Sequence, residues 1–350
     1  MAKVNLEFLE LITTFRCNSN CGHCLIQPKE VGSEILSSEF AAALITKLAE
    51  SYELKAINTF GGEPILALET VLKSHRTARE HGIPNRIIQT NGNWTTPIRP
   101  AFPYPITQET WNKQGKSLLN REIEIEVLDN RQKQDIQTIA SQLADNGVTK
   151  VEISVDAFHA EFLSVSQALF AAQSLARKIE EVAFVPRWVI SEGAENFPNL
   201  LTTKILGQLK EYGIPIERGT TIQPRGNILD SFGEIIPKIE ISGKETCQDV
   251  PLGVDFQNIR EICITPHQEV VFCNNFIVHQ GNADEIADFL KNYTPKDFPE
   301  IEAILDRGIQ GLLDFFPKEQ QEEFKAKYYS ICDVCFQLRR KLKFAETCQA

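Results

Sequence analysis

The chain has 350 residues, an apolar content of 42% and a formal net charge of −11 at neutral pH. Because binding to a nucleic-acid backbone depends on Lys and Arg, this acidic balance argues against nucleic acid as the main partner. The sequence contains no apolar run long enough for a transmembrane helix and no signal-peptide core at its N-terminus. We therefore expect a cytoplasmic protein that does not enter a membrane.

The chain holds nine cysteines, and in a reducing cytoplasm clustered thiols usually bind metal rather than form disulfides. Three of them, Cys17, Cys21 and Cys24, follow a predicted strand over residues 8–14 at the spacing C-x3-C-x2-C. Three thiolates suit an iron–sulfur cluster with one open iron, because a structural zinc site takes four ligands. A zinc knuckle that takes its fourth ligand from elsewhere, or a chance group of buried thiols, is the alternative.

Strand and helix patterns alternate after this loop. A helix begins near Phe40, with Ser37 or Ser38 as its N-cap. Further strands are predicted over residues 56–60, 86–90, 150–155, 182–190 and 216–222, with Pro186 marking a bulge or an edge. Such alternation indicates a parallel sheet with right-handed crossovers. Residues 1–229 are therefore predicted to form an α/β domain, a partial (β/α)6 TIM-like barrel.

Residues 93–130 interrupt the alternation. The segment contains four prolines interleaved with Phe102, Tyr104 and Trp111. So long a connection inside a compact domain is often functional. It follows the third predicted strand, so we expect it at the carboxyl rim of the barrel. The segment has two alternative interpretations: a substrate lid, or a surface excursion that packs against the domain.

The character of the chain changes near residue 230, and the other six cysteines follow. Residues 262–265 and 269–273 predict a β-hairpin, and helical patterns then lead to the metal-binding spacing Cys332-x2-Cys335. Cys348 follows after twelve more residues. Residues 230–350 are therefore predicted to form a cysteine-rich C-terminal extension made of a hairpin and helices.

The loop over residues 17–24 resembles the cluster-binding loop of the radical S-adenosylmethionine (SAM) superfamily, whose signature is C-x3-C-x-aromatic-C. His23 stands where that family usually has Tyr, Phe or Trp. A second motif resembles the family's GGEP and consists of Gly61, Gly62, Glu63 and Pro64. The resemblance implies an enzyme with a [4Fe–4S] cluster that cleaves SAM reductively to a 5′-deoxyadenosyl radical, which abstracts a substrate hydrogen. It also implies a flavodoxin- or ferredoxin-type electron donor.

The resemblance further implies SAM contacts at the ends of the strands. The glycines let the backbone approach the ligand, and Glu63 is expected to accept from the ammonium group of SAM. The ribose and the methionine carboxylate are assigned to Asn91, Ser154, Asp156 and Arg187. A surface position is the alternative for Arg187. We expect His159 to be a solvated loop histidine, and no catalytic residue is assigned.

The C-terminal cysteines resemble those of SPASM and Twitch extensions, in which cysteines on either side of a hairpin bind an auxiliary [4Fe–4S] cluster. Gln268 occupies the hairpin turn where those extensions commonly carry Gly. The cysteine run of a full SPASM domain is missing, so one auxiliary cluster is expected. The preferred ligands are Cys247, Cys273, Cys332 and Cys335, with Cys348 as a replacement for Cys247. Cys263 is expected to be a buried thiol on the other strand face, and structural zinc is the alternative metal.

These resemblances predict a radical SAM oxidoreductase or bond-forming enzyme that modifies a ribosomally made peptide by crosslinking, epimerisation or dehydrogenation. Because the first motif cysteine is at position 17, we expect no fused N-terminal recognition domain. A peptide would then need a separate recognition protein or a groove near residues 93–130. A small metabolite such as a sugar, nucleotide or amino acid is the alternative substrate. A metal-binding scaffold without catalysis is the alternative from another class.

Overall fold

The structure is a computed structural model that describes residues 3–24, 32–102, 107–224, 227–249, 253–273, 276–324 and 328–347. Its strands are β1 (Lys3–Thr14), β2 (Ala56–Gly61), β3 (Asn85–Thr90), β4 (Lys150–Ser154), β5 (Glu181–Val185), β6 (Arg187–Trp188), β7 (Thr220–Thr221), β8 (Asn258–Ile264), β9 (Glu269–Cys273) and β10 (Phe276–Gln280). Eight of these strands form one sheet in the order β10-β9-β8-β1-β2-β3-β4-β5.

The helices of the first half are α1 (Ser38–Ser51), α2 (Leu68–Glu80), α3 (Gln108–Asn120), α4 (Asn130–Asp145), α5 (Ala157–Ala160), α6 (Val165–Leu175), α7 (Phe197–Leu209) and α8 (Asn227–Phe232). Those that follow are α9 (Ala283–Asn292), α10 (Pro299–Arg307), α11 (Ile309–Leu313), α12 (Lys318–Glu323) and α13 (Ile331–Thr347). Within the described ranges, no helix has both the length and the apolar character needed to cross a bilayer.

Strands β1 to β5 are parallel neighbours, as the strand–helix alternation predicts. Successive side chains of a strand point to opposite faces of the sheet. Leu9, Leu11 and Ile57 are therefore buried under the helices, whereas Glu10 and Asn58 lie on the other face. The Asn58 amide donates to the Glu10 carboxylate at 3.2 Å. The face of the sheet that carries Glu10 and Asn58 is therefore partly polar.

The predicted sixth barrel strand is largely absent from the described residues. Ile216 makes a single parallel bridge with Phe184 of β5, and Thr220–Thr221 is a two-residue strand that pairs with β6 in a separate two-stranded sheet. Pro186 ends β5 because it lacks an N–H for the ladder. Gly219, at φ 75°, packs against the Pro186 carbonyl so closely that a Cβ atom would lie 2.1 Å from that oxygen. The sheet does not close, so the α/β class is confirmed and the barrel is not.

The predicted hairpin is present as β8 and β9, and it joins the main sheet. Strand β8 pairs in parallel with β1, while β9 pairs antiparallel with β8. The turn is closed by a bond from Thr265 N–H to the Glu269 carbonyl at 3.1 Å, and Gln268 adopts φ 62°. That left-handed conformation favours Gly, the residue that the resembling extensions carry there.

The apolar side chains form two large cores. One lies between β3 to β5 and helices α4 to α8. The other combines β1 and α1 with residues from Phe256 to Leu338. The division into domains 1–229 and 230–350 stays a prediction, and the second core draws on both.

The described part of the 93–130 insertion is packed against the domain. The ring of Trp111 in α3 stacks on Phe197 in α7, with centroids 5.5 Å apart. The Lys204 ammonium donates to the carbonyls of Leu118 and Leu119 at 2.8 and 2.7 Å. These contacts support the packed excursion, one of the two alternatives. Tyr104 lies outside the described residues.

Candidate cluster and cofactor site

The three motif cysteines lie in the loop that follows β1. The side chain of Cys21 is buried, and those of Cys17 and Cys24 are half-buried. Burial raises the pKa of Cys17 to about 12, and the Glu63 carboxylate and the Cys24 thiol add to that shift. Burial also raises the pKa of Cys21 well above its usual range, although the Ser19 hydroxyl opposes this. The thiols are thus close enough to influence one another.

This donor set fits a positively charged metal centre. Without one, burial keeps the thiols neutral, since each nearby negative charge disfavours the next thiolate. A bound metal centre reverses that balance and deprotonates its thiol ligands. One buried and two half-buried thiols therefore suit the cluster that the sequence predicts. The assignment of the cluster's ligands stays a prediction.

The GGEP turn docks directly on the cysteine loop. Gly62 N–H donates to the Thr14 carbonyl at 2.8 Å, and Glu63 N–H donates to the Arg16 carbonyl at 2.7 Å. A Cβ atom on Gly62 would lie 1.9 Å from that Arg16 oxygen, and one on Gly61 would lie 2.5 Å from the Thr14 oxygen. Both glycines are therefore required by the close approach of the two motifs.

Glu63 is completely buried and ties β2 to β3. Its carboxylate accepts from Thr90 Oγ1 at 2.6 Å, from Asn91 N–H at 2.8 Å and from Ile65 N–H at 3.2 Å. Burial raises the pKa of Glu63 to about 7, although these hydrogen bonds oppose the rise. Pro64, also buried, begins a short 3-10 helix, Pro64–Ala67. A contact between Glu63 and SAM stays a prediction.

Two asparagines that sequence reasoning missed link the cysteine loop to the end of β3. Asn18 accepts from the Asn91 amide at 2.7 Å and donates to the Asn93 carbonyl at 2.6 Å. The Asn93 side chain in turn accepts from Ser164 N–H at the start of α6, at 2.8 Å. The position of Asn18 inside the C-x3-C spacing was the one available signal, and its partners are distant in the sequence.

Asp156 follows β4 and is completely buried. It caps α5: Oδ1 accepts from His159 N–H at 3.0 Å and lies 2.9 Å from His159 Nδ1, while Oδ2 accepts from Arg187 N–H at 3.1 Å. Burial alone would raise the pKa of Asp156, but His159 outweighs it and holds the value at about 2. Asp156 therefore orders the strand ends, and its predicted ribose contact stays a prediction.

His159 is not the solvated loop histidine that we expected. It lies in α5 with a side chain 14% exposed. The ring of His23 lies 4.9 Å from the His159 ring and 4.9 Å from the Phe158 ring. Burial lowers the pKa of His23 to about 3, so this ring is neutral. One ligand atom each of His23, Asp156 and His159 lies within 4.8 Å of the others, a spacing that could hold a cation.

Ser154 and Arg187 lie at the strand ends where the sequence predicts them. Ser154 is the last residue of β4 and is half-buried. The Arg187 guanidinium donates to the Thr220 hydroxyl, so it bridges β6 to β7. Their predicted contacts with SAM stay predictions.

The four preferred C-terminal ligands come together from distant parts of the chain. Cys247 lies in a 3-10 turn, Cys273 ends β9, and Cys332 and Cys335 lie near the start of α13. Burial raises the pKa of Cys247 to about 12, with Cys273 and Cys332 adding to the shift. Burial also raises the pKa of Cys335, and the other three thiols add to it.

Two further C-terminal cysteines, Cys263 and Cys348, are not among these four preferred ligands. Cys263 pairs with Glu10 across the β8–β1 ladder, and after burial its pKa is raised mainly by Glu10 and Glu261 rather than by thiols. No thiol contributes to that shift, so Cys263 lies apart from the four-cysteine group. The predicted placement on the other strand face is wrong, because Cys263 pairs with Val271, which lies two residues before Cys273 on the same face of β9. Cys263 is half-buried. Cys348 lies outside the described residues.

Comparisons with known proteins return no matching family model and no matching curated protein. Solved structures do match. BtrN in complex with AdoMet and 2-DOIA is 15% identical over 89% of this chain and 91% of that one, with a TM-score of 0.42. The protein anSMEcpe with AdoMet and the Cp18Cys peptide is 14% identical over 97% of each chain, with a TM-score of 0.47. Streptococcus suis SuiB bound to its precursor peptide SuiA is 13% identical over 88% of this chain and 71% of that one, with a TM-score of 0.38.

The two motifs, and the way in which they dock on each other, are the features of this chain that bear on its chemistry.

Proposed function

We propose that the chain is a radical SAM enzyme whose [4Fe–4S] cluster is held by Cys17, Cys21 and Cys24. The observation that supports this is the convergence of three buried or half-buried thiols on the loop against which the GGEP turn docks. Three thiols leave one iron open for SAM. When bound, the cluster supplies the electron that cleaves SAM to methionine and the hydrogen-abstracting 5′-deoxyadenosyl radical.

The chain's own residues position and shield this site. The two glycines hold the GGEP turn against the cysteine loop, and three hydrogen bonds fix the Glu63 carboxylate in one orientation. A carboxylate so oriented is suited to accept from the SAM ammonium. Asn91, Ser154, Asp156 and Arg187 are proposed to bind the ribose and the methionine carboxylate.

We also propose one auxiliary [4Fe–4S] cluster, held by Cys247, Cys273, Cys332 and Cys335. The mutual effect of these thiols on one another's pKa supports the ligand set. Four thiolate ligands complete such a cluster. It is suited either to accept an electron from the substrate or to hold the extension in place.

The substrate that we propose is a ribosomally made peptide, because extensions that resemble residues 230–350 often accompany peptide maturation. Crosslinking, epimerisation and dehydrogenation are the reactions considered. SuiB and anSMEcpe are bound to peptides, whereas BtrN is bound to 2-DOIA. A small metabolite is therefore the second candidate. A flavodoxin or ferredoxin is the proposed electron donor, and a separate recognition protein is the proposed partner for a peptide.

Anaerobic reconstitution followed by incubation with SAM and dithionite tests the enzyme. The wild-type protein should bind about eight irons, as two four-iron clusters require, and release 5′-deoxyadenosine measured by mass spectrometry. Cys21→Ala should abolish that release. Cys263→Ala is the matched control, because Cys263 lies outside both cysteine groups, and it should keep the wild-type iron content and the wild-type rate.

Two outcomes would overturn the proposal. Iron-replete protein that releases no 5′-deoxyadenosine is not a radical SAM enzyme, and zinc in place of iron would indicate a scaffold. Deuterated candidate substrates then identify the substrate class, because the abstracted deuterium is transferred to 5′-deoxyadenosine.

A further inference from the structure

Arg339 in α13 is a buried cation with unused donors. Its side chain is 8% exposed, and Nη2 donates to Glu300 at 2.9 Å. Nε and Nη1 are buried and have no hydrogen-bond partner among the residues that the structure describes. Buried charged groups are normally paired through most of their donors. Two donor nitrogens of one guanidinium that lack a partner among the described residues therefore indicate an acceptor that binds there.

The guanidinium lies beside the C-terminal cysteines. Arg339 is one helical turn after Cys335, on the same face of α13. The ring of Phe276 covers one face of the guanidinium, with the guanidinium carbon 3.6 Å from the ring centroid. Phe276 pairs with Cys273 across the β9–β10 ladder, so Phe276 adjoins a second thiol of the group. The guanidinium is thus held between β10, α10 and α13, near Cys273 and Cys335, whose thiols would become anionic on binding metal.

We propose that Arg339 donates hydrogen bonds through Nε and Nη1 to the sulfur atoms of the auxiliary cluster and thereby raises its reduction potential. This inference rests on the auxiliary cluster proposed above. A four-thiolate cluster gains one further negative charge when it takes up an electron from an external reductant such as dithionite. A nearby cation and N–H···S bonds stabilise that reduced state more than the oxidised state.

The pairing of Glu300 with Arg339 allows an electrostatic effect on the reduction potential to be distinguished from a loss of packing. Its carboxylate pairs with Arg339 and cancels part of the positive charge. Removing the arginine charge should lower the midpoint potential, whereas removing the glutamate charge should raise it. Loss of packing alone does not predict opposite signs for these two changes.

The test uses the full chain with Cys17, Cys21 and Cys24 replaced by alanine, so that only the auxiliary cluster remains. After anaerobic reconstitution, the midpoint is measured by redox titration followed by electron paramagnetic resonance. Arg339→Gln should reduce the ratio of reduced to oxidised cluster about tenfold at a fixed potential, a fall of about 59 mV for a one-electron couple. Glu300→Gln should shift the midpoint upward.

Two further variants complete the design. Arg340→Gln removes the same charge from the exposed neighbouring residue and should leave the midpoint unchanged. Arg339→Lys keeps the charge but not the fork of donors, so its midpoint should lie between those of the wild type and Arg339→Gln. Because lysine keeps both the cation and much of the side-chain length, it and Glu300→Gln carry the test if Arg339→Gln does not fold.

The outcomes separate this inference from the function on which it rests. An iron-replete Arg339→Gln protein with an unchanged midpoint overturns the role of Arg339 and leaves the auxiliary cluster standing. A triple-alanine protein that binds no iron overturns the auxiliary cluster and this inference together. In both cases SAM cleavage by the wild-type chain still tests the proposed enzyme independently.

Discussion

Gly62 lies where the two motif loops touch, and it shows how a single missing Cβ positions a site. Because a Cβ atom there would lie 1.9 Å from the Arg16 carbonyl, Gly62→Ala should push the GGEP turn off the cysteine loop. We expect a loss of more than about 1 kcal/mol of unfolding free energy and a matching loss of reconstituted iron. Thermal unfolding and iron assays measure both.

Gly207 supplies the control for this substitution. It lies in α7, and a Cβ atom there would meet nothing within 4 Å. Gly207→Ala should therefore be neutral or stabilising by up to about 1 kcal/mol, because alanine favours the helix. Equal iron content in Gly62→Ala and the wild type would show that the two motifs do not need this contact.

Glu10, on the polar face of the sheet, gives the protein a pH-dependent stability. Burial and the neighbouring Glu261 raise the pKa of Glu10 above its ordinary value of 4.5. The folded protein then binds this proton more tightly than the unfolded chain does. The free energy of unfolding should therefore fall as the pH rises above about 4.5.

Glu10→Gln should flatten that fall, because glutamine carries no titrating proton. Urea denaturation of iron-free protein at a series of pH values between about 5 and 7 measures the slope. Glu7→Gln is the control: a hydrogen bond from Lys55 lowers the pKa of Glu7, so its contribution is lost only at lower pH. Parallel slopes for Glu10→Gln and the wild type would refute the assignment.

At the scale of elements, the loop after β1 is held by side chains from other elements rather than by its own backbone alone. Asn18 accepts from Asn91 and donates to the Asn93 carbonyl, so it joins this loop to the end of β3. The Asn93 side chain, itself buried, extends the link to the start of α6. The orientation of the cysteine loop therefore depends on this short asparagine network.

Asn18→Ala should leave the Asn93 carbonyl and the Asn91 amide without this partner, at a cost of about 1–3 kcal/mol. We expect less bound iron and slower release of 5′-deoxyadenosine. Asn292→Ala, at the exposed end of α9, removes one amide contact with the Asp288 carbonyl and should leave both quantities unchanged. If Asn18→Ala binds iron as the wild type does, the network does not hold the loop.

At the scale of the whole molecule, the sequence predicts best what depends on local spacing. The cysteine loop, the GGEP turn and the hairpin turn at Gln268 each span only a few consecutive residues, so the sequence pattern alone identifies them. The partners of Asn18 and Arg339 are distant in the chain, and no local pattern marks them. The sixth strand keeps only the Ile216–Phe184 bridge to β5, because apolar periodicity does not reveal that the chain near Pro186 and Gly219 enters a separate small sheet.

The packing also bears on whether residues 1–229 fold alone. Strand β1 lies between β2 and β8, so a chain ending at residue 229 loses the partner on one edge of β1. Its buried residues Leu9 and Leu11 share a core with Ile262 and Ile264 of β8. An unpaired edge beside an uncovered apolar face favours aggregation.

We therefore expect the fragment 1–229 to be insoluble, or to melt without a cooperative transition in circular dichroism. Co-expression with residues 230–350 should return soluble protein in which the two fragments purify together, because the β1–β8 ladder and the shared core form again. A fragment 1–229 that is soluble and unfolds cooperatively would mean that the β8 pairing is dispensable. In that case the first 229 residues form a domain of their own, as the sequence predicts.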